Sequence, residues 1–404
     1  MKIAHLRWFV PVLIVAAACG AYRVLARHPP AAIALVRNEP WIIAPRYDIP
    51  QVATNEQLRA VLERMKPPTG KPNTNLLVHA LRLWGPNADF GDPAIPSGAA
   101  MRDYFLRDSE FRRWAGDDTP ALFTLDQDGV RARPSLLKNI HESTGAVHTD
   151  DLLATLAEIG TPLSQPLETR QGTTTVGELL HGALNRFHVE QQEFEWSTIS
   201  YARYVLPITS WTNQHGQRIM VDDLVEDLIN HPVEEGVCGG THRLEALVVL
   251  LRADEQAHAL SPKTKRRIVA HLASVAQLLV QAQHPDGHWT RTWVRGAPPA
   301  AKEKSEPADE ILLTGHHLEW LALAPPEVQP PRETIIRAGQ WLVRSMLEVD
   351  EKSLNQWYGP FTHAARALCL WRSVEPAAVW RARENPKSEI SNSKSEIRHP
   401  TSDI

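Results

Sequence analysis

Apolar positions recur at helical spacing through most of this chain. The windows are 55–65, 75–84, 147–158, 175–188, 196–206, 219–229, 241–252, 263–282, 309–323, 332–348 and 361–372, at a period near 3.6. Alternation of the strand kind is scarce. Turn residues separate the windows, as at Gly85-Pro86-Asn87, Pro162, Pro285-Asp286-Gly287 and Pro325-Pro326. The pattern predicts an all-α fold of about 10–12 helices of two kinds. Segments 265–283 and 332–348 have a charged face and an apolar stripe, as outer helices do. Segments 246–251, 318–322 and 364–370 are apolar nearly all round, as enclosed helices are. Alternating inner and outer helices closed into a ring make an α/α toroid; an open α-solenoid gives the same alternation. Residues 88–146 break the pattern and read as an irregular insertion, with a short helix near 100–106 and a hairpin around 123–132.

One phrase is written three times: Gly-Gly-Thr-His242-Arg-Leu-Glu245, Leu-Thr-Gly-His316-His317-Leu-Glu319-Trp320, and Pro-Phe-Thr-His363-Ala-Ala-Arg. The copies are separated by one helical hairpin, with a polar surface loop at 296–309 lengthening the first interval. Glu195-Trp196-Ser197-Thr198 and Leu77-Val78-His79 read as earlier, weaker copies. Repeats of this length argue for stacked helix pairs. If the inner helices run in parallel, their N-termini share one mouth, with His242, His316 and His363 in first helical turns and Cys238 just above. The helix dipole there disfavours imidazolium and keeps such rings neutral. Its free N–H groups favour an anionic ligand.

Three uses of these residues stand side by side. Cys238 with His242 and His363, or with all three histidines, has the donor types of a zinc site. His316, His363 and His242 suit proton transfer, oriented by Glu319 or by Glu245, which lie three residues after their histidines on the same helix face. In the third, His and Thr only cap inner helices. Trp196, Trp320 and Glu245 are the candidate substrate-contacting residues.

Composition narrows the partners. The 404 residues are 43% apolar and 22% charged, with net charge −4 and no Lys/Arg block, which argues against nucleic acid. Three cysteines, one of them Cys19, do not make a disulfide scaffold. Lys2 and Arg7 precede an apolar run over 8–22, and Arg23 and Arg27 follow it. Residues 1–27 therefore read as a signal anchor or a cleaved signal peptide, placing the domain on the outer side of the cytoplasmic membrane. Residues 28–50 are a Pro-rich linker, 51–383 the toroid domain, and 384–404 a disordered tail built on a repeated Lys-Ser-Glu-Ile. The acidic run Asp222-Asp223-Leu-Val-Glu226-Asp227 sits on an amphipathic pattern and reads as a solvated face.

Gln283-His-Pro-Asp286-Gly287-His288-Trp289 resembles the Q-x-x-D-G-x-W core repeated in triterpene cyclases and protein prenyltransferases. The resemblance covers about residues 195–372. It implies an α/α toroid in which the Gln caps a helix, Asp-Gly turns the chain, and the Trp stacks on the Gln. The next equivalent corner, 354–359, lacks the Asp-Gly. The chain has no Asp-x-Asp-Asp acid cluster of the squalene type, and it lacks the Cys-His pair of lanthionine synthetase cyclases. Cys238 and His363 are similar to two zinc ligands of the prenyltransferases, but Gly236 stands where those enzymes place an Asp. Gly315-His316-His317-Leu318-Glu319-Trp320 resembles a G-H-x-x-E-W stretch of N-acylglucosamine 2-epimerases, where the His transfers a proton; Thr314 replaces the preceding Pro. The expectation is an exported, membrane-anchored toroid, with acid/base or metal-assisted chemistry on a small or lipid-like substrate. The alternatives are a non-catalytic scaffold for a protein or polysaccharide, and a sugar epimerase-like enzyme.

Overall fold

The structure is a computed structural model that describes residues 35–382, apart from 71–72, 127–128, 136–143 and 298–304. It is mostly helical. The helices are α1 Asn55–Arg64, α2 Thr74–Trp84, α3 Gly98–Leu106, α4 Asp108–Ala115, α5 Asp151–Glu158, α6 Val176–Arg186, α7 Phe194–Tyr204 and α8 Val221–Asn230. They continue as α9 Thr241–Ala257, α10 Pro262–Ala282, α11 Pro307–Leu323, α12 Arg332–Glu348, α13 Glu351–Gln356, α14 Tyr358–Trp371 and α15 Pro376–Arg381. Three antiparallel hairpins accompany them: β1 Phe123–Asp126 with β2 Gly129–Ala132, β3 Pro166–Thr169 with β4 Gly172–Thr175, and β5 Ser210–Thr212 with β6 Arg218–Met220. The helix and hairpin expected inside 88–146 are α3 and β1–β2. Helix α4 and the other two hairpins had no clear signal in the apolar pattern.

Local chemistry starts the helices. Thr54 and Gln57 form a capping box on α1, and Ser261 caps α10 with Pro262 at its first position. The two helix kinds differ in burial as their patterns predict. α9 is buried without a break from Thr241 to Leu251, and α11 from Leu313 to Leu323. α10 and α12 bury one stripe each. The enclosed helices pack in sequence: α2 on α5, α5 on α7, α7 on α9, α9 on α11, α11 on α14, and α14 back on α2. α12 packs on α1 and α11, and α10 on α8 and α9.

The C-terminal ends of the enclosed helices share one pole. The described part of the Pro-rich stretch runs across it as a docked strap. Trp41 N donates to Arg203 O at 2.8 Å, Tyr47 Oη to Ala324 O at 2.8 Å, and Ile49 N to Trp371 O at 2.9 Å. Arg252 Nη1 ties the strap to two helix ends through Ala44 O and Leu323 O. These residues were expected as a linker, but buried backbone groups at helix ends need partners, and the strap supplies them.

The Gln283–Trp289 corner behaves as a brace. Gln283 Nε2 donates to Gly287 O at 2.9 Å and to Thr334 O at 2.8 Å, tying the turn to α12. Gly287 sits at φ +120°, and a Cβ there would lie 2.4 Å from Arg337 O. The Trp289 indole N–H donates to Leu279 O at 2.8 Å. The acids of α8 are partly paired: Asp222 accepts from Thr264 at 2.9 Å, and Glu226 lies 2.6 Å from Arg267 on α10. Among the described residues no helix is long and apolar enough to cross a membrane. The 1–27 segment and the 384–404 tail lie outside the described residues.

Candidate functional site

The mouth of α9 is built by a tight turn. Cys238, Gly239 and Gly240 all have left-handed backbone, at φ 52°, 67° and 85°. Gly240 is sterically required, since a Cβ would come within 1.7 Å of Val233 O. Thr241 Oγ1 donates to Cys238 O at 3.0 Å, which closes the loop onto the helix start. His242 is the second residue of α9, where the phrase places it.

The other two histidines are not in first turns. α11 begins at Pro307, so His316 lies deep inside it, and His363 lies in the second turn of α14. Thr314-Gly315 resembles a turn in sequence but is helical. Gly315 is there because α14 passes close by: a Cβ would meet Ala364 N at 2.8 Å. The dipole argument for neutral imidazole therefore applies to His242 alone.

Packing still brings the rings together. Ring centroids are 4.6 Å apart for His242 and His316, 3.8 Å for His316 and His363, and 5.9 Å for His242 and His363. His79 of α2 extends the row, 5.2 Å from His363. Trp196 of α7 lies 4.3 Å from His242 on one side, with the Arg82 guanidinium 4.9 Å from its ring. Trp320 goes elsewhere. Its indole donates to His317 Nδ1 at 3.2 Å, and His317 is edge-on to Trp289 and Trp293.

Beneath the imidazoles lies a buried layer of charge. His242 Nδ1 donates to Glu245 at 3.2 Å, and His316 Nδ1 and His363 Nδ1 both donate to Glu319 Oε2, at 3.1 and 2.8 Å. Arg366 bonds the other oxygen of Glu319 at 2.7 Å and also pairs with Glu158. Arg82 bonds Glu158 at 2.8 Å and Glu245 at 3.3 Å. Arg82, Arg366, Glu158 and His79 were not singled out from the sequence as site residues. A signal existed: His79-x-x-Arg82 and His363-x-x-Arg366 have the same spacing as His242-x-x-Glu245 and His316-x-x-Glu319. Four helices thus present a ring and then a charge one turn on, with acids and bases matched across the interior.

Burial drives most of the proton equilibria. It pushes His242 down to about 4 and His79 down to about 3, and with the cations nearby it holds His363 well below the usual imidazole value. His316 is the exception. Burial lowers it, but the Cys238 thiolate and the Glu319 carboxylate outweigh that and lift it to about 10. Conversely, burial raises the Cys238 thiol, and His316 and His242 more than reverse this, leaving it well below a free cysteine.

Cys238, His242 and His316 each offer one donor atom, and the three atoms lie within 4.8 Å of one another. His316, Glu319 and His363 form an adjoining group by the same measure. Of the ligand set expected from sequence, Cys238 and His242 meet as proposed, His316 joins them, and His363 belongs to the neighbouring group. A further group, His284, Asp286 and His288, sits at the Asp-Gly corner and is bonded within itself at 2.8 and 2.6 Å. Compared with protein families, curated proteins and solved structures, the chain gives no match.

Proposed function

We propose that this chain is an α/α-toroid enzyme whose inner face carries a zinc centre formed by Cys238, His242 and His316. The cyclic packing of six enclosed helices supports the toroid. One observation carries the metal: two histidines each commit Nδ1 to a carboxylate three residues on, leaving Nε2 for a ligand, and both stand beside one acidified thiol. Carboxylate-oriented histidines of this kind are the usual surroundings of a bound metal. His316 Nε2 is buried with no hydrogen-bond partner, and an ion bound there would displace the proton that the metal-free ring keeps on it. Zinc bonds of about 2.0–2.3 Å place tetrahedral donors roughly 3.3–3.8 Å apart, so a small inward movement of side chains completes the set. Three protein ligands leave one position for substrate or water, the pattern of catalytic rather than structural zinc.

When bound, the ion would supply Lewis acidity at that open position. The chain's own groups do the rest. Glu245 and Glu319 fix the tautomers of His242 and His316. His363, held neutral with Nδ1 on Glu319, keeps Nε2 as a proton acceptor beside the His316 ring. Trp196 closes the His242 side against water. A small or lipid-like substrate remains the proposed class, with Trp196 as its apolar contact beside His242. The basic-flanked apolar run over 8–22 supports a domain held outside the cytoplasmic membrane.

The acidified thiol favours a second reading, in which Cys238 is a nucleophile, His316 its proton partner and Glu319 the orienting acid. Elemental analysis separates the two. Zinc-loaded, desalted protein is expected to hold about one zinc per chain, lost in Cys238→Ser and His316→Ala variants with unchanged circular dichroism. Equal metal content in wild type and variants, or none in any, would overturn the zinc centre. Rapid stoichiometric alkylation of Cys238 at neutral pH in the metal-free protein, with activity indifferent to chelators, would establish the nucleophile instead. A purely scaffolding ring would show neither.

A further inference from the structure

Below the carboxylate layer, toward the C-terminal ends of the enclosed helices, lies a cavity of about 780 Å³. That is within the usual range for small-molecule sites. The strap segment 42–46 forms one side, and the last turns of α2, α5 and α7 with the end of α14 form the others. Three buried guanidinium groups reach its wall: Arg82, Arg203 and Arg366. Their partners are unequal. Arg366 is shared between Glu158 and Glu319. Arg82 bonds Glu158 and Glu245, but its Nη1 is buried with no partner. Arg203 has no carboxylate within 4.0 Å among the described residues; only Nη1 is engaged, on Trp41 O at 3.0 Å, and its Nε is buried and unpartnered. Arg203 is 3% exposed.

A buried cation without a directly paired carboxylate is costly. The helix C-termini at this pole help, since their partial negative charge suits arginine. Their dipoles do not, however, fill the open N–H directions of Arg203 and Arg82. Burial lowers Arg203 to about 10, and the more distant Glu245 charge offsets only part of that. The remaining wall is mostly apolar, with Leu83, Trp84, Ile159, Leu370 and Val374, and it also carries Arg46 and the carboxylates of Glu158 and Glu375.

We propose that this cavity is a binding site for an amphiphilic anion, a carboxylate or phosphate monoester with an apolar body, whose headgroup is held by Arg203 and Arg82. The guanidinium fork is the side chain best matched to either headgroup. The apolar body lies against Leu83, Trp84 and Leu370. The site stands independently of the zinc reading, because Cys238 and His242 do not line it.

The test is calorimetric titration of the full chain with decanoate, decyl phosphate, inorganic phosphate and decyltrimethylammonium. One-to-one saturable binding of decanoate or decyl phosphate is expected, with no binding of the cation. Which of the two anions binds tighter, and whether inorganic phosphate competes, identifies the headgroup. Arg203→Gln should weaken binding about tenfold through loss of a charge-assisted contact. Arg203 also holds the strap, so a second pair of variants guards against misfolding. Ile42 is 52% exposed at the cavity rim and bears no part of the strap's hydrogen bonding to Arg203. Ile42→Glu should weaken the anion and Ile42→Lys strengthen it, each by roughly threefold, as expected of partly screened charges. The same titrations on Cys238→Ser keep the outcome separate from metal binding. The proposal is overturned if neither decyl anion saturates below millimolar concentration. It is equally overturned if the cation binds as well as the anions, or if neither Arg203→Gln nor the Ile42 pair changes the affinity.

Discussion

Glu319→Gln is the perturbation that tests the site most directly. The Glu319 carboxylate is 1% exposed and accepts from His316, His363 and Arg366 at 3.1, 2.8 and 2.7 Å. Glutamine keeps the shape but removes the charge and turns one acceptor into a donor. Two losses follow, and they are read separately. Arg366 keeps Glu158 but loses the Glu319 carboxylate in a buried layer, and breaking a buried pair costs about 3–5 kcal/mol. That is measured as urea unfolding of chelator-treated protein, because bound metal would itself add stability. The second loss is in ion affinity. His316 no longer has an anion fixing its Nδ1–H, and removing such a partner weakens metal binding by about 10–100-fold. A competitive zinc chelator titration reads this, as a shift of about 1.4–2.7 kcal/mol in binding free energy. His363→Gln serves as the comparison: it keeps the Glu319–His316 bond and should reduce affinity much less. Zinc affinity in Glu319→Gln within about twofold of wild type, with unfolding free energy clearly reduced, would refute the reasoning. Glu319 would then brace Arg366 and nothing more.

Other expectations follow from single contacts. Gly287→Ala forces a side chain into left-handed backbone against Arg337 O and should cost about 1–3 kcal/mol in urea unfolding, with a smaller value showing that the corner can relax. Trp320→Phe removes the donor to His317 Nδ1 and should destabilise by about 1–3 kcal/mol while leaving zinc content unchanged, since that indole is bonded away from Cys238; loss of metal would contradict this placement. His148 gives a pH dependence. Burial lowers its pKa, but the bond to Glu193 and the Asp151 charge outweigh this and raise it to about 9. A folded value above the unfolded 6.5 means the stabilisation is complete below pH 6.5 and fades as pH rises through 9. The buried Asp151, raised to about 6, has mostly ionised before that window opens. The urea midpoint should therefore fall between pH 6.5 and 9 in wild type, and His148→Gln should flatten that fall. Parallel slopes in the two proteins would dismiss the pairing.

Much of the fold was legible because helices announce themselves locally. The 3.6-residue period separated one-striped helices such as α10 and α12 from enclosed ones such as α9 and α11, and burial follows that division. The corner at Gln283–Trp289 was legible because a turn of that kind needs glycine at one position. Helix starts were less legible. Thr-Gly-His316 has turn residues, yet α11 runs straight through them from Pro307, because Gly315 there serves contact with α14 rather than a bend. Local chemistry alone does not distinguish those two uses of glycine.

The sequence by itself determined the helical class, the alternation of helix kinds, and the register that puts Glu245 and Glu319 one turn below their histidines. Those depend on spacing within one helix. The tertiary structure decided which groups meet. Arg82 finds Glu158 and Glu245 on two other helices, and Arg366 reaches back 208 residues to Glu158. Cys238 faces His242 and His316 because α9 and α11 are neighbours, and His363 is drawn instead to Glu319. The reason is physical: periodicity is encoded within a few turns of chain, whereas the partner of a buried charge is set by which helices pack side by side.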